Sequence, residues 1–264
     1  MAALIEKLDG GVLTLVLNRP ERKNALSGEM LESLHKALER AAHDPAVRCV
    51  LLTGADGTFC VGGDVKAFAA GGGAGGDQSL DQRAASLRLR MESSRLLHEM
   101  PKPTIAAIEG AAAGAGLSLA MACDLRICGA SAKITTAFAK VGLSGDFGGT
   151  YFLSQLVGPA KARELYLLSP VLSGQQAADM GIVSRAVPDA DVQKEAAALA
   201  QQLANGPTVT YGFIKKNFIA AEAGTLKTAF DAEALHHSIS SSTEDHKEAS
   251  KAFVEKRAPA FKGR

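Results

Sequence analysis

The segment Ser144–Gly149, SGDFGG, holds one carboxylate, Asp146, among glycines and directly before the apolar run TYFLSQLVG. Such a carboxylate suits two kinds of chemistry. It can accept hydrogen bonds from the first amides of the following helix, as aspartate often does at an N-cap position. It can also act as a general acid or base, because apolar neighbours raise the pKa of a carboxyl group towards neutrality. The local sequence leaves both interpretations open.

Two short turns rich in small residues could supply a second chemical element. FCVGGD follows the predicted strand VRCVLLTG, and GAAAGAGLSLAMACD follows the predicted strand TIAAIEG. Small residues let backbone amides approach a ligand closely, and the start of a helix adds a partial positive charge. Two such turns could each direct one N–H group at a carbonyl oxygen that becomes negative during a reaction. The alternative is that these glycines only allow a helix to pack tightly on a strand.

The glycine pattern argues against three common classes of enzyme. Gly114 and Gly116 match two positions of the dinucleotide-binding fingerprint, but Leu119 stands where its last glycine belongs. No Gly-Lys-Ser/Thr sequence completes a phosphate-binding loop. In GLSGD, Asp146 replaces the final glycine of a nucleophile elbow. A nucleotide-dependent dehydrogenase, an NTPase and an α/β-hydrolase are therefore disfavoured.

Strands alternating with helices must position these residues. The pattern predicts strands at VLTLVLN, VRCVLLTG, TIAAIEG and DLRICGA. Predicted helices begin at Ser27 and near Val65, and a long one ends near Met100, after a glycine-rich loop at 69–77. Further helices are predicted from DFGGTYFLSQLVG to PAKARELYLLS, from Ser173 to Gly181, and over most of the chain beyond Asp189. This order predicts an α/β core with an appended helical region.

The composition narrows the possible partners. With 264 residues, 47% hydrophobic and 22% charged, and a net charge of +1, the chain has neither a strong field for nucleic acid nor an apolar run that could span a bilayer. The N-terminal MAALIEKLDGG lacks the pattern of a secretion signal. The four cysteines are expected to be buried free thiols in a reducing cytoplasm. Neither their spacing nor the six histidines, which lie away from the glycine-rich segments, indicates a metal site.

Taken together, several motifs resemble one family along the whole chain. They are LNRPERKNALS, FCVGGDV, KPTIAAIEGAAAGAGLSLAMACDLRI, VGLSGDFGGTYFLSQLVGPAKARELYLLSPVLSGQQAADMGIVSRAVP and AFVEKRAPAFKGR. In this order they resemble the crotonase superfamily, the enoyl-CoA hydratases and isomerases. The resemblance implies a spiral of β-β-α units over residues 1–200 and a helical C-terminal region over 201–264. In the family that region makes trimer contacts, and trimers often pair into hexamers.

The resemblance also implies an acyl-CoA substrate, with coenzyme A as part of the substrate and no separate cofactor. Family members hold an enolate with two backbone amides, which fall here on Gly63 and Ala115. The family's coenzyme A contacts correspond here to positions near the RPERKNAL segment, after the first turn and in AFVEKR. The two positions in AFVEKR lie three apart, which would place them on one helical face, and in the family they contact the coenzyme A of a neighbouring subunit. These positions are Lys23, Ala25, Leu26, Lys66, Phe253 and Lys256. Without the resemblance, the lysines would be read as solvated surface charges.

The type of reaction depends on carboxylates. Family hydratases use two glutamates, at positions where this chain has Ser118 and Phe138. Asp146 matches the single acid/base of family isomerases, including one that acts on ring-epoxidised phenylacetyl-CoA. Moving a double bond needs one base that takes a proton from one carbon and returns it to another. The resemblance therefore favours an isomerase whose pocket is lined by Ser118, Phe138, Phe147 and Tyr151, with Phe152 beside them.

Three alternatives remain at this stage. One is an enoyl-CoA hydratase of fatty-acid or aromatic-acid degradation that uses an unusual acid. A second is nucleophilic attack by Asp146, as in 4-chlorobenzoyl-CoA dehalogenase, which pairs its aspartate with a histidine and a tryptophan; Met91 and Phe138 stand at those places, and the chain has no tryptophan. A third is a non-catalytic homologue that binds acyl-CoA, RNA or a protein.

Overall fold

The computed structural model describes residues 2–64 and 78–264, and it contains a large and a small β-sheet. In the large sheet the strands run in the order β1-β2-β3-β4-β6-β9, with β1 antiparallel to β2 and the other neighbours parallel. Its strands are β1 (Leu4–Asp9), β2 (Val12–Leu17), β3 (Cys49–Gly54), β4 (Thr104–Ile108), β6 (Leu125–Gly129) and β9 (Arg185–Val187).

The strands at the centre of the large sheet are buried on both faces. Every residue of β3 and of β4 is buried, as expected for parallel strands with helices on both sides. At the edge, β1 reads LIEKLD and buries only Leu4. Strand β1 was not predicted, because its charged residues conceal the strand pattern. It is held by pairing with β2 through a turn at Gly10 and Gly11.

The small sheet runs in the order β5-β7-β8. Its strands are β5 (Ala111–Ala113), β7 (Lys133–Thr135) and β8 (Leu172–Ser173). The chain passes from β4 in the large sheet to β5 in the small one and then enters a helix, and it repeats this path with β6 and β7. These repeated strand-strand-helix units form the predicted crotonase-like spiral, which is confirmed.

The predicted helix signals correspond to real helix ends. Ser27 caps its helix by accepting a hydrogen bond from Met30 N at 3.2 Å, and Ser173 caps another through a capping box. The predicted long helix before Met100 is two helices, because the chain turns at Met91. The helices are α1 (Gly28–His43), α2 (Leu80–Arg90), α3 (Glu92–Glu99), α4 (Ala115–Ala122), α5 (Gly149–Leu168), α6 (Gly174–Asp179), α7 (Val192–Ala204), α8 (Thr208–Ala223), α9 (Leu226–Ser240) and α10 (Glu244–Val254).

The helices cover the large sheet on both faces. Helix α7 buries Val192, Ala196, Ala200 and Ala204 against one face, while α1, α3 and α4 contribute to the main core on the other. Beyond α7, helices α8 and α9 pack against each other, and no side chain of α9 is buried. The predicted division between residues 200 and 201 falls inside α7, and the division into two regions stays a prediction.

Three other expectations can be compared with the structure. All four cysteines are free and buried, as predicted. The predicted helix start near Val65, the glycine-rich loop at 69–77 and Lys66 lie outside the described residues. Within the described ranges no helix is long and apolar enough to cross a membrane.

Candidate active site

The first glycine-rich turn is held from two sides. On one side, Cys60 N donates to Ala111 O, and Ala113 N donates to Cys60 O, each at 3.0 Å. On the other side, Leu26 N donates to Gly62 O at 2.8 Å. The turn is therefore fixed between β5 and the segment that contains Leu26.

The second turn meets the first through a glycine contact. A Cβ atom on Gly62, whose φ is +87°, would lie 2.7 Å from Ala113 O and 3.2 Å from Ala115 N. Gly114, with φ +52° and ψ −127°, then turns the chain into α4 in a conformation that side chains disfavour. Glycine at these two positions allows the two turns to touch, so the structure brings the predicted residues Gly63 and Ala115 into one region.

Neither backbone amide at this junction has a backbone acceptor within the described residues. Ala115 is the first residue of α4, so its N–H group has no acceptor within the helix. For Gly63, the described parts of the chain contain no acceptor of its N–H group. All eight residues of α4 are buried, which shields the positive end of the helix dipole from water. This arrangement can stabilise an oxygen that gains negative charge.

Asp146 lies in a strained segment just before α5. Gly145, Phe147 and Gly148 have φ values of +122°, +50° and +74°, and a positive φ is costly for phenylalanine. Gly149 N donates to the backbone oxygen of Asp146 at 3.1 Å. This conformation aims the carboxyl group inwards, since Asp146 Oδ1 is buried and has no hydrogen-bond partner in the described chain.

The interpretation of Asp146 as a helix cap is wrong. The N-cap residue of α5 is Gly148, and no side chain caps this helix. Two residues with positive φ, Phe147 and Gly148, lie between Asp146 and the first residue of the helix, and no hydrogen bond joins the Asp146 carboxyl group to the free amides. The fold therefore makes no use of the carboxylate at this helix end.

Burial raises the pKa of Asp146 to about 6, and desolvation is its cause. Near neutral pH the group is mostly ionised, yet it can take up and return a proton at low free-energy cost. No hydrogen-bond donor of the described chain stabilises its buried oxygen. This is the protonation behaviour expected of a general base.

The start of α5 packs against the first turn of α4. A Cβ on Gly149 would lie 2.3 Å from Ser118 Oγ, and Ser118 itself donates to Gly114 O at 3.3 Å. A Cβ on Gly114 would lie 3.8 Å from the Phe138 ring. Ser118 is thus buried beside Gly149 and Phe138 is buried beside Gly114, and their role as pocket residues stays a prediction.

Sequence reasoning missed Tyr166, whose ring stacks on Phe138 with centroids 5.8 Å apart. Its hydroxyl would lie 2.2 Å from a Cβ on Gly149. In a straight helix these two residues would be about 25 Å apart. The chain bends at Gly158, whose φ is +77°, immediately before Pro159, and this bend returns Tyr166 to the site. The Gly-Pro pair was the available signal.

The other two predicted pocket residues lie differently. Phe147 is buried in the main core. Tyr151 is 44% exposed and donates to Glu222 Oε2 at 2.9 Å, beside the ring of His98. Two residues along a helix correspond to about 200° of rotation, so Tyr151 points away from the face of Gly149. The expectation that Tyr151 lines the same pocket as Ser118 is not supported by these contacts.

The predicted coenzyme A residues of the N-terminal segment lie beside the first turn. Lys23 is exposed, with φ +51°, and its backbone oxygen accepts from Val61 N at 3.3 Å. Ala25 and Leu26 are buried. The anchor of this segment is Asn24, which was not predicted and whose side chain donates to two backbone oxygens of the loop after β3. This buried amide fixes Lys23 at the edge of the turn.

The C-terminal pair is exposed, and one detail of its prediction is wrong. Phe253 is 86% exposed, and α10 ends at Val254. Lys256 lies beyond the helix with φ +54°, where its N–H donates to Phe253 O at 3.2 Å. The two residues therefore do not share one helical face, because the chain reverses at Lys256. Their role with coenzyme A stays a prediction.

A cavity of about 370 Å³ lies elsewhere, between α3, α4, α5 and α8. His98, Phe152, Lys215 and Glu222 contribute to its walls, whereas Gly63, Ala115 and Asp146 do not. This cavity is distinct from the candidate site.

Comparisons with known proteins agree with this architecture. The enoyl-CoA hydratase/isomerase family model matches residues 7–264. The chain is 37% identical to 1,2-epoxyphenylacetyl-CoA isomerase of Escherichia coli K12, over all of both chains. Among solved structures, an enoyl-CoA hydratase from Polaromonas sp. JS666 superimposes with a TM-score of 0.91 at 32% identity, covering 98% of this chain and 99% of the other. An enoyl-CoA hydratase from Bacillus anthracis superimposes with a TM-score of 0.91 at 29% identity, covering 99% of this chain and 100% of the other.

The chain therefore belongs to the enoyl-CoA hydratase/isomerase family, with the crotonase fold that the sequence predicted. Members of this family act on acyl-CoA thioesters. Its relatives include proteins named as an isomerase and as hydratases, so the family alone does not select the reaction.

Proposed function

We propose that this protein is an acyl-CoA isomerase that moves a double bond through an enolate, with Asp146 as its only acid/base. The observation that carries the proposal is the buried Asp146 oxygen without a hydrogen-bond partner in the described chain. The fold does not use this carboxylate as a cap, and burial raises its pKa to about 6. Those are the properties of a group kept for proton transfer.

The proposed reaction uses the two amides and the one carboxylate in sequence. The thioester oxygen accepts hydrogen bonds from Gly63 N and Ala115 N. Asp146 removes a proton from C2 of a 3-enoyl thioester, and the electron pair moves onto the thioester oxygen. The protonated Asp146 then delivers its proton to C4, which leaves the 2-enoyl product. Each donor to such an oxyanion is worth about 3 kcal/mol of transition-state stabilisation.

Hydration would need more than this site offers. Adding water requires one group to activate the water and another to protonate the second carbon. The buried side chains at the two positions where family hydratases have glutamates are Ser118 and Phe138, which cannot do this. Hydration remains the second candidate because solved relatives of similar fold are named enoyl-CoA hydratases.

Turnover of matched substrates separates these functions. The protein is incubated with a 3-enoyl-CoA and, separately, with a 2-enoyl-CoA, and the products are resolved by chromatography and mass. The proposal predicts interconversion of the two enoyl thioesters and little 3-hydroxyacyl-CoA. Asp146→Asn should lower the rate by about 10²-fold or more. The control Asp9→Asn, at a side chain 81% exposed, should leave it unchanged.

Two other outcomes would replace the proposal. Fast water addition that survives Asp146→Asn would establish a hydratase with another acid. Tight calorimetric binding of several acyl-CoAs without turnover of any would establish a non-catalytic acyl-CoA-binding homologue.

The surface of the helical region supports a proposed homotrimer, or a dimer of trimers. Helix α9 buries no side chain in the single chain and exposes Leu226, Phe230 and Leu235 by 70%, 59% and 57%. A second copy of the chain would cover this apolar surface. In such an assembly Phe253 and Lys256 would contact the coenzyme A of a neighbouring subunit, while Lys23, Ala25, Leu26 and Lys66 would contact that of their own.

A further inference from the structure

Arg19 joins the two segments that meet at the first glycine-rich turn. Its Nη1 atom donates to Ala25 O at 2.7 Å, within the segment predicted to contact coenzyme A. Its Nη2 atom lies 3.4 Å from Asp64 Oδ2, and Asp64 directly follows Gly63 in the chain. The side chains of Arg19 and Asp64 are 21% and 16% exposed, so most of this ion pair is shielded from water. One guanidinium group thus connects the coenzyme A segment to the residue beside a proposed oxyanion donor.

The backbone around Arg19 is fixed, so its guanidinium group reaches the turn from a rigid base. Arg19 N donates to Asn24 Oδ1 at 2.9 Å, and Asn24 N donates to Arg19 O at 2.9 Å. The buried Asn24 side chain also donates to two backbone oxygens of the loop after β3. Leu26 forms an isolated parallel β-bridge with Gly63. The ion pair with Asp64 extends this framework one residue past Gly63.

The carboxylate of Asp64 stands at an unfavourable place for the proposed chemistry. In the proposed reaction the thioester oxygen gains negative charge beside Gly63 N, and Asp64 is the next residue along the chain. The charge of its carboxylate alone would repel the enolate oxygen and oppose the stabilisation that the Gly63 amide provides. The positive charge of Arg19, which lies against this carboxylate, offsets the repulsion.

We infer that Arg19 is a positioning residue of the reaction: it holds the turn of Gly63 against the coenzyme A segment and cancels the Asp64 charge beside the enolate oxygen. Arg19 acts through Asp64 and not on the substrate itself. Its removal should weaken the hydrogen bond from Gly63 N to the thioester oxygen more than it weakens binding of the whole acyl-CoA. The inference rests on the proposed function for the use of Gly63 N as an oxyanion donor.

The infrared stretching frequency of a bound thioester carbonyl tests the inference without turnover. The probe is hexanoyl-CoA, isotopically labelled at the thioester carbonyl carbon, which has no double bond to move or to hydrate. Hydrogen bonds from the two amides should lower its carbonyl frequency on binding to wild type. Arg19→Ala should lose about half of this shift, because one of the two donors is weakened. Asp64→Asn introduced into Arg19→Ala should restore most of the shift, since it removes the repelling charge.

Steady-state kinetics of the same variants gives a second readout. Arg19→Ala should lower kcat by about tenfold or more, while KM changes by less than about threefold. Arg19→Lys keeps the charge but loses the forked donor, so its kcat should lie between that of Arg19→Ala and that of wild type. The matched control is Arg40→Ala, which removes an arginine that pairs with Glu6 at 2.8 Å, and it should change neither kcat nor the carbonyl frequency.

Two results would overturn the inference: a full carbonyl shift in Arg19→Ala, or a reduced shift that Asp64→Asn does not restore. Thermal unfolding checks the fold of each variant, and Arg19→Gln, which removes the charge but keeps an amide donor, replaces Arg19→Ala if that variant does not fold. Failure of the proposed function is recognised separately, because it appears in the wild-type protein as an unshifted carbonyl frequency or as absent isomerisation of the 3-enoyl-CoA.

Discussion

At the scale of the residue, Asp146 has a buried carboxyl oxygen without a hydrogen-bond partner among residues 2–64 and 78–264. Its carboxyl group is aimed inwards by Gly145, Phe147 and Gly148, all with positive φ. Backbone strain of this kind is often found where a side chain must be held for a ligand. The same burial that raises the pKa to about 6 also disfavours the ionised form in the folded protein. Asp146 therefore reduces stability at neutral pH.

This cost gives a pH-dependent prediction for Asp146→Asn. The folded pKa of about 6 lies above the ordinary value of 3.8, so between these pH values the folded protein retains a proton that the unfolded chain releases. The contribution of Asp146 to stability is complete below the lower value and is lost as pH rises through the upper one. The asparagine variant should match wild type near pH 3.8 and exceed it by about 1 to 2 kcal/mol at pH 7.5.

Urea unfolding of both proteins at the two pH values measures this difference. The asparagine variant is neutral throughout, so the effects of other carboxyl groups cancel in the comparison. An advantage of equal size at both pH values would show that burial of the charge is not its origin.

At the scale of the element, the two glycine-rich turns act as one unit because α4 lies directly against Cys60. A Cβ on Gly116 would lie 2.4 Å from Cys60 O and 2.8 Å from Cys60 Sγ. Any side chain at Gly116 must push α4, and with it the amide of Ala115, away from the turn that carries Gly63. The spacing of the two donors depends on this contact.

We expect Gly116→Ala to lower kcat by about tenfold or more, because displacing a catalytic group by a fraction of an ångström is costly. Overpacking should also reduce the free energy of unfolding by about 1 to 3 kcal/mol. The matched control is Gly28→Ala, since nothing lies within 4 Å of a Cβ there. Steady-state kinetics and urea unfolding of both variants measure the two effects. An unchanged kcat in Gly116→Ala would show that catalysis does not depend on the contact between Gly116 and Cys60.

The elements also show what the sequence could predict. Turns, caps and the resemblance are local or collinear signals, so they could indicate Asp146, Gly63 and Ala115, whose catalytic roles stay predictions. Tyr166 was not predicted as a site residue, because its position depends on the bend at Gly158, which brings together residues far apart along α5. The short strands of the small sheet were not predicted, because each has only two or three residues, too few for a periodic pattern. Contacts that depend on tertiary structure were therefore the ones missed.

At the scale of the whole molecule, the spiral core buries its apolar side chains within the single chain, whereas α9 does not. The core strands are covered on both faces, but α9 packs along α8 and leaves large apolar residues exposed. An isolated helical hairpin with such a surface is expected to find a partner. The proposed homotrimer accounts for it.

Phe230 gives a direct test of this assembly. Phe230→Asp places a charge in the apolar surface, so we expect a shift from trimer to monomer in sedimentation equilibrium at micromolar concentration. Lys227→Ala is the control on the same helix, at a side chain 83% exposed, and should leave the assembly unchanged. A wild-type protein that sediments as a monomer would contradict the proposal.

Proton exchange at the acyl group tests the central claim most directly. An acyl-CoA is incubated with the protein in deuterated buffer over a range of pH, and deuterium at the carbon next to the thioester is followed by NMR. The account predicts that wild type catalyses exchange, that the rate rises with pH through about 6, and that Asp146→Asn binds the thioester without exchange. Exchange by Asp146→Asn at the wild-type rate would show that another group moves the proton.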